Sequence, residues 1–144
     1  MPVCKIDLRV NWNKSRELVL YTALAEMIEV QNNDLTVGIG YTMSPGKKLP
    51  FNYKGEPIIL KNPLDFKVDL SIRDTKTTQR TLDGNDDVTA GSLNFQLRPN
   101  INYQINRRLN AQLFFERTFN EPRVPSSFKR SSTSFGIKLR FNLA

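Results

Sequence analysis

The residue types that most often carry out catalysis are scarce in this chain. Its 144 residues include no histidine and a single cysteine, Cys4. Without histidine, the Ser-His and Cys-His nucleophilic arrangements cannot form, and the commonest transition-metal ligand is missing. A lone cysteine also excludes an internal disulfide and a cysteine-rich metal site.

One stretch has the spacing of a metal-binding loop. Asp83, Asn85 and Asp87 match the opening of a calcium loop, but the positions that require glycine and the closing glutamate hold Val88 and Asn94. Paired carboxylates occur only in polar stretches that lack the apolar surroundings needed for acid-base catalysis. We therefore expect no enzymatic activity, no bound cofactor and no metal centre.

The elements that position the side chains are predicted to be β-strands. No stretch approaches the roughly 18 consecutive apolar residues of a membrane-spanning helix. Instead, apolar and polar residues alternate with the two-residue period of a strand. This alternation predicts an all-β, antiparallel fold with no internal boundary between residues 1 and 144. The seven predicted strands cover residues 5–13, a segment from about residue 16, 35–42, 66–73, 93–106, 109–119 and 134–143.

These strands are long. Most span about eight to thirteen residues, against the five or six that are usual in soluble sheets. Strands that cross a membrane need about nine to eleven residues. The lengths therefore favour an antiparallel transmembrane β-barrel segment, part of a larger barrel.

The connections between the strands differ in length. Lys14-Ser15 and Gln31-Asn32-Asn33 are predicted to be short turns, and residues 22–29 are predicted to be either strand or one to two turns of helix. Residues 43–64 hold four prolines and show no period, which predicts a long loop.

Two further long connections are predicted at residues 75–91 and 120–132, and a tight one at Arg107-Arg108. If the carboxy terminus is periplasmic, these two long connections fall outside the cell, and the short ones at Lys14-Ser15 and Arg107-Arg108 fall inside, as in outer-membrane barrels. Pro99 lies on an apolar face and lacks an N–H donor, which predicts a bulge or a locally unpaired site.

Alternation alone leaves open which face meets which solvent. The polar faces are rich in Asn, Gln, Ser and Gly, which suits a water-filled lumen, and the apolar faces carry no charge except Arg117. This distribution favours lipid on the apolar side. A soluble ligand-binding barrel of lipocalin type, with its apolar side inward, is the first alternative. The second is a basic nucleic-acid-binding β-module, although the charges that give the net +7 are scattered and we expect no nucleic-acid partner.

The last predicted strand carries a more specific pattern. Bacterial outer-membrane barrels commonly end in a strand with a polar residue, a glycine two positions on and then two large apolar residues. Ser134, Gly136, Leu139 and Phe141 reproduce that outer-membrane assembly signal, three residues before the last residue of the sequence.

Five segments, together with the unusual position of Pro99, resemble the carboxy-terminal end of the SprA/Sov family. That family forms the very large outer-membrane translocon of the type IX secretion system in Bacteroidetes and is tied to gliding motility. The resemblance covers nearly all of the chain in the family's order. The segments are Lys14–Leu20, Leu35–Tyr41, Asp69–Lys76, Leu97–Tyr103 and Thr133–Phe141.

The resemblance implies that the chain supplies the final wall strands of a giant outer-membrane barrel that passes folded cargo proteins to the cell surface. The implied partners are outer-membrane lipid, the remainder of the barrel or an upstream polypeptide, secreted cargo and other secretion-system subunits. The first residues, Met1 to Asp7, show no basic region followed by an apolar segment and so do not form a signal peptide, and a gene fragment or one half of a split gene is expected. The residues expected to line the lumen are Lys67, Arg73, Asn94, Gln96, Asn102, Lys138 and Arg140.

Overall fold

The fold is an antiparallel all-β meander, as the alternation predicts. The computed structural model describes residues 5–143, apart from the side chain of Phe51. Six strands form one sheet in the order β1-β2-β5-β6-β7-β8, and β3 and β4 form a separate hairpin. The strands are β1 (Lys5–Tyr21), β2 (Glu26–Met43), β3 (Lys48–Tyr53), β4 (Glu56–Ile59), β5 (Leu64–Thr81), β6 (Asp86–Gln104), β7 (Leu109–Pro122) and β8 (Arg130–Phe141).

The predicted turns at Lys14-Ser15 and Gln31-Asn32-Asn33 are wrong. β1 and β2 pair in one unbroken register, in which Lys14 lies opposite Asn33. The chain turns only at residues 22–25, so the alternative of a helix over residues 22–29 is wrong as well. The three strands predicted before residue 43 are therefore two longer strands, β1 and β2. The main sheet accordingly has six strands, whereas the sequence pattern predicts seven.

The long connections are shorter than the sequence predicts, because the strands continue through polar residues. β5 and β6 extend the pairing until only residues 82–85 remain as a turn, and residues 123–129 remain between β7 and β8. A β-bulge interrupts β6, where Thr77 pairs with Ala90 and Thr78 with Val88. The predicted loop at residues 43–64 contains the β3–β4 hairpin.

Two other predictions are confirmed. The connection at Arg107-Arg108 is tight, and the Asn106 side chain accepts hydrogen bonds from the amides of Arg108 (2.9 Å) and Leu109 (2.8 Å). Pro99 is paired with Val68 of β5, but pairing toward β7 lapses between Leu97 and Asn100 without a shift of register. This is the locally unpaired site expected where a strand residue has no N–H to donate.

The sheet is a single layer with open edges. Among the described residues only Leu60, Glu29 and Thr78 are buried. β1 and β8 lie at the two edges, and each has one hydrogen-bonded neighbour in the described part of the chain. No helix within residues 5–143 is long and apolar enough to cross a bilayer.

Candidate functional site: the two faces of the sheet

One face of the sheet carries a continuous apolar surface, which we call the belt. Successive side chains of a strand point to opposite faces, so the observed register fixes which residues share a face. The row through Val10 illustrates this, because Val10 pairs with Val37, Val37 with Leu70 and Leu70 with Leu97. The belt consists of Ile6, Leu8, Val10, Trp12, Leu35, Val37, Ile39, Tyr41, Leu64, Phe66, Val68, Leu70, Ile72, Leu93, Phe95, Leu97, Ile101, Tyr103, Leu109, Ala111, Leu113, Phe115, Phe119, Phe135, Ile137, Leu139 and Phe141.

The belt is close in length to the apolar band of outer-membrane barrels. On β5 it extends from Leu64 to Ile72, about 27 Å along the strand, against about 25 Å for the apolar band of outer-membrane barrels. Its aromatic residues are distributed along its length, and Phe115 pairs with Phe135 in the central row. Trp12 and Phe95 lie in the row at one end, and Tyr41 and Phe66 lie in a row near the other.

Beyond Trp12 and Ile72 the same face carries a cluster of charged residues, which we call the charged tier, beside Leu18 and Leu20 near the end of β1. The prediction that Arg117 is the only charge on the apolar face is wrong, because the strands run past the predicted turns and carry the same alternation into polar sequence. The charged tier consists of Lys14, Arg16, Glu29, Asp74, Lys76, Arg80 and Asp86, bordered by Glu121, Arg123 and Lys129.

Glu29 forms the centre of the charged tier and joins three strands. Its side chain is 1% exposed. Its Oε1 accepts hydrogen bonds from Gln31 Nε2 and from Arg16 Nε of β1, both at 2.5 Å. Its Oε2 lies 3.0 Å from a guanidinium nitrogen of Arg80 on β5. The hydrogen bond from Gln31 and then that from Arg16 lower the pKa of the Glu29 carboxyl below its ordinary value of 4.5.

Because Glu29 lies on the part of β2 outside the belt, its titration is expected to be visible in the pH dependence of stability. A carboxyl whose pKa is lowered by folding stabilises the fold above its unfolded pKa, and the contribution is lost as the pH falls through the folded value. Glu29→Gln should therefore destabilise the chain at neutral pH, and the difference from wild type should shrink below about pH 4.5. Guanidinium unfolding in detergent micelles across this pH range measures both effects.

Glu17→Gln is the matched control, since Glu17 is an exposed glutamate on the opposite face of β1. It should change stability much less than Glu29→Gln at every pH. Equal unfolding midpoints for the two variants at neutral pH would show that the Glu29 cluster does not hold the three strands together.

Behind the belt, the opposite face of the sheet is polar except at Phe114, and within the described strands large apolar residues return on it only at the far end of β1 and β2, at Val19, Tyr21, Ile28 and Val30. All seven residues expected to line a lumen lie on this polar face, on β5, β6 and β8. Arg73 Nε donates to Asp34 Oδ1 across the strands at 2.8 Å, and Gln96 Nε2 donates to Glu116 Oε1 at 2.7 Å. Cross-strand hydrogen bonds of this kind tie neighbouring strands together without apolar contact.

The four residues of the predicted assembly signal divide between the two faces of β8. Ser134 and Gly136 lie on the polar face, and Leu139 and Phe141 lie on the belt. Gly136 is opposite Phe114, and a Cβ at position 136 would overlap the Phe114 ring. The glycine therefore makes room for an aromatic side chain that covers the edge of the sheet, a packing seen where aromatic residues compensate for edge glycines.

The charged tier is the part of this surface that the sequence pattern misses. Arg16 begins a predicted strand and Glu29 ends a stretch predicted to be strand or helix, and only the register of β1, β2 and β5 brings them together. Comparison with known proteins adds no further assignment, because no protein-family model, curated protein or solved structure matches this chain.

Proposed function

We propose that the chain forms wall strands of an outer-membrane barrel that translocates proteins, with the belt against lipid and the polar face toward an aqueous lumen. The observation that carries the proposal is a single-layer sheet that is apolar on one face and polar on the other. The SprA/Sov resemblance extends the proposal to the final strands of a type IX secretion translocon, linked to gliding motility and to delivery of cargo to the cell surface.

The exposure of the belt supports the lipid contact. Trp12 is 74% exposed, Phe141 65% and Leu8 63%. Moving a large apolar side chain out of water is worth about 1.5–3 kcal/mol, and soluble domains obtain this by packing two layers face to face. The described chain provides no second layer for the belt. Acyl chains would supply the missing apolar contact.

The open edges support incorporation into a larger barrel. β1 presents the unpaired edge of a strand of 17 residues, and β8 one of 12 residues. An unpaired backbone group costs several kcal/mol inside a bilayer, so both edges would have to pair with further strands. An eight-stranded barrel already fills its interior with side chains, and a lumen for proteins needs many more strands than these six. The closed sheet that a soluble ligand-binding barrel requires is not formed by residues 5–143.

Trp12 allows a direct test, since it is the chain's single tryptophan and lies on the belt. The full chain is folded into phosphatidylcholine vesicles. Trp12 fluorescence should be quenched by lipids brominated in the acyl chain and protected from aqueous iodide. A control variant that combines Trp12→Phe with Asn11→Trp moves the indole to the neighbouring residue on the polar face. Its fluorescence should be quenched by iodide and protected from the brominated lipids.

Two results would contradict the wall-strand proposal. One is equal quenching of Trp12 and of the relocated tryptophan by brominated lipid. The other is a folded, monomeric chain that stays in solution without detergent or vesicles.

Protein translocation is tested in the cell. Deleting the coding region of the chain is expected to remove a set of proteins from the medium and the cell surface, while unrelated outer-membrane barrels still assemble. An unchanged secreted and surface proteome would contradict a translocation role even if the wall-strand experiment succeeds.

A further inference from the structure

The charged tier begins where the belt ends. On β1, Trp12 is followed on the same face by Lys14 and Arg16, and on β5, Ile72 is followed by Asp74 and Lys76. At about 3.4 Å per residue, the Cα atoms of Lys14 and Arg16 lie roughly 7 and 14 Å beyond that of Trp12. We propose that the charged tier binds the phosphate groups of lipid headgroups at this end of the belt. The proposal rests on the lipid contact of the belt proposed above.

Register brings the basic side chains together. Arg16 pairs with Gln31, and Gln31 pairs with Lys76, so the three residues form one row across β1, β2 and β5. Two strand spacings separate Arg16 from Lys76, about 10 Å between their Cα atoms. Lys14 stands one row nearer the belt, opposite Asn33. The side chains of Arg16 and Lys76 are longer than that of Gln31 between them. They can therefore reach the same phosphate above Gln31.

The carboxylates of the tier are already engaged. Glu29 is buried between Arg16 and Arg80, and Asp74 accepts hydrogen bonds from Arg123 at 2.8 and 2.5 Å. The third, Asp86, lies 3.3 Å from Arg80 Nε. The internal pairing of these carboxylates with arginines leaves no carboxylate of the tier to pair with the lysines.

Lys14 and Lys76 make no ion pair with the described residues, in contrast to the arginines of the tier. Apart from the separate Glu121–Lys129 pair, the tier and its border hold five cations and three carboxylates, which leaves an excess of positive charge. The cations are Lys14, Arg16, Lys76, Arg80 and Arg123, and the carboxylates are Glu29, Asp74 and Asp86. An anion is the complementary ligand. Lys14 stands one row and Lys76 two rows beyond the end of the belt, a position that favours an anion attached to an acyl chain.

Binding to vesicles of different charge tests the proposal with the full chain. The chain is partitioned between detergent micelles and vesicles of phosphatidylcholine, with or without phosphatidylglycerol, in phosphate-free buffer at low ionic strength. A basic residue near an anionic surface contributes about 1 kcal/mol, a factor of about five. Lys14→Gln and Lys76→Gln should each reduce the preference for anionic vesicles about five-fold, and the double variant about 25-fold.

Lys67→Gln is the matched control, because it removes the same charge from β5 on the opposite face. It should leave the vesicle preference unchanged. Inorganic phosphate should compete no better than sodium chloride of equal ionic strength. If inorganic phosphate selectively abolishes the preference, the ligand is free phosphate and the lipid assignment falls.

Failure of this inference is separable from failure of the wall-strand proposal. Equal insertion into both kinds of vesicle, unaffected by the two lysine substitutions, would overturn headgroup binding and leave the lipid-facing belt standing. Failure to insert into either kind of vesicle would overturn the wall-strand proposal, and headgroup binding with it.

Discussion

Leu70→Arg is expected to weaken insertion of the sheet into a bilayer. Leu70 lies within the belt, one row from Val68 at its centre, and is flanked across the strands by Val37 and Leu97. An arginine on the lipid face of a membrane barrel costs about 2–4 kcal/mol at the bilayer midplane and about 0–1 kcal/mol near the interface. Because the native Arg117 lies in the same row as Leu70, the lower end of the midplane range, about 2 kcal/mol, is expected. This corresponds to a fall of roughly 30-fold in the ratio of folded to unfolded chain. Unfolding by guanidinium in vesicles measures the loss.

Ser71→Arg is the control that separates the effect of the face from the effect of the charge. Ser71 is the next residue of β5, is half-buried like Leu70 and lies on the polar face between Thr36 and Gln96. An arginine there would project into water and should change stability by less than about 0.5 kcal/mol. If Ser71→Arg were the more damaging substitution, the polar face could not be the one that borders water.

Much of the two-face arrangement follows from the sequence because the side chains of a strand alternate between its faces with a period of two residues. Lys67 and Arg73, or Lys138 and Arg140, must share a face in any uninterrupted strand, whichever strands are their neighbours. The structure accordingly places all the residues expected to line a lumen on one face. Which residues of one strand share a face depends only on their spacing along that strand. This part of the prediction is therefore correct even where the predicted turns are wrong.

The lengths of the strands could not be predicted in the same way. The apolar half of the alternation is interrupted after Trp12 by Lys14 and Arg16 and ends on β5 at Ile72, so the local pattern predicts that the strands end there. The strand continues because its polar residues find partners on other strands. Asn32 Nδ2 donates to Ser15 Oγ at 3.3 Å, and Arg16 reaches Glu29. Such pairings depend on register, which joins residues far apart in sequence.

The charged tier was not predicted either, because it also depends on how far the strands extend. Once β1 is continuous, the parity that puts Trp12 on the belt also puts Lys14 and Arg16 on that face. A turn at Lys14-Ser15 would have removed that constraint. The misplaced turn at Lys14-Ser15 thus hides the charged surface beyond Trp12. With the turn, these residues belong to a connection, and without it they extend the face of the belt.

Gly91→Ala is expected to disrupt the charged end of the β5–β6 hairpin. Gly91 follows the bulge of β6, has a φ of +152° and accepts a hydrogen bond from the Arg123 amide at 2.9 Å. A Cβ there would lie 2.5 Å from the Thr75 carbonyl oxygen and 3.1 Å from Lys76 Cα. Both atoms belong to the backbone, so no change of rotamer relieves the overlap. Backbone strain alone costs about 1–3 kcal/mol, and the overlap adds to it.

Gly40→Ala provides the comparison that assigns this loss to the bulge. A Cβ at Gly40 would meet Asp7 Cβ at an ordinary contact distance of 3.5 Å. Removing a glycine from a strand interior of this kind changes stability by about 0.5–1 kcal/mol in the favourable direction. Amide hydrogen exchange resolved by residue should show that Gly91→Ala increases opening over residues 75–81, next to the bulge, and leaves the belt rows around Leu70 protected. Equal protection of residues 75–81 in the two variants would mean that the bulge tolerates a side chain, and that Gly91 does not determine how far the charged tier extends beyond the belt.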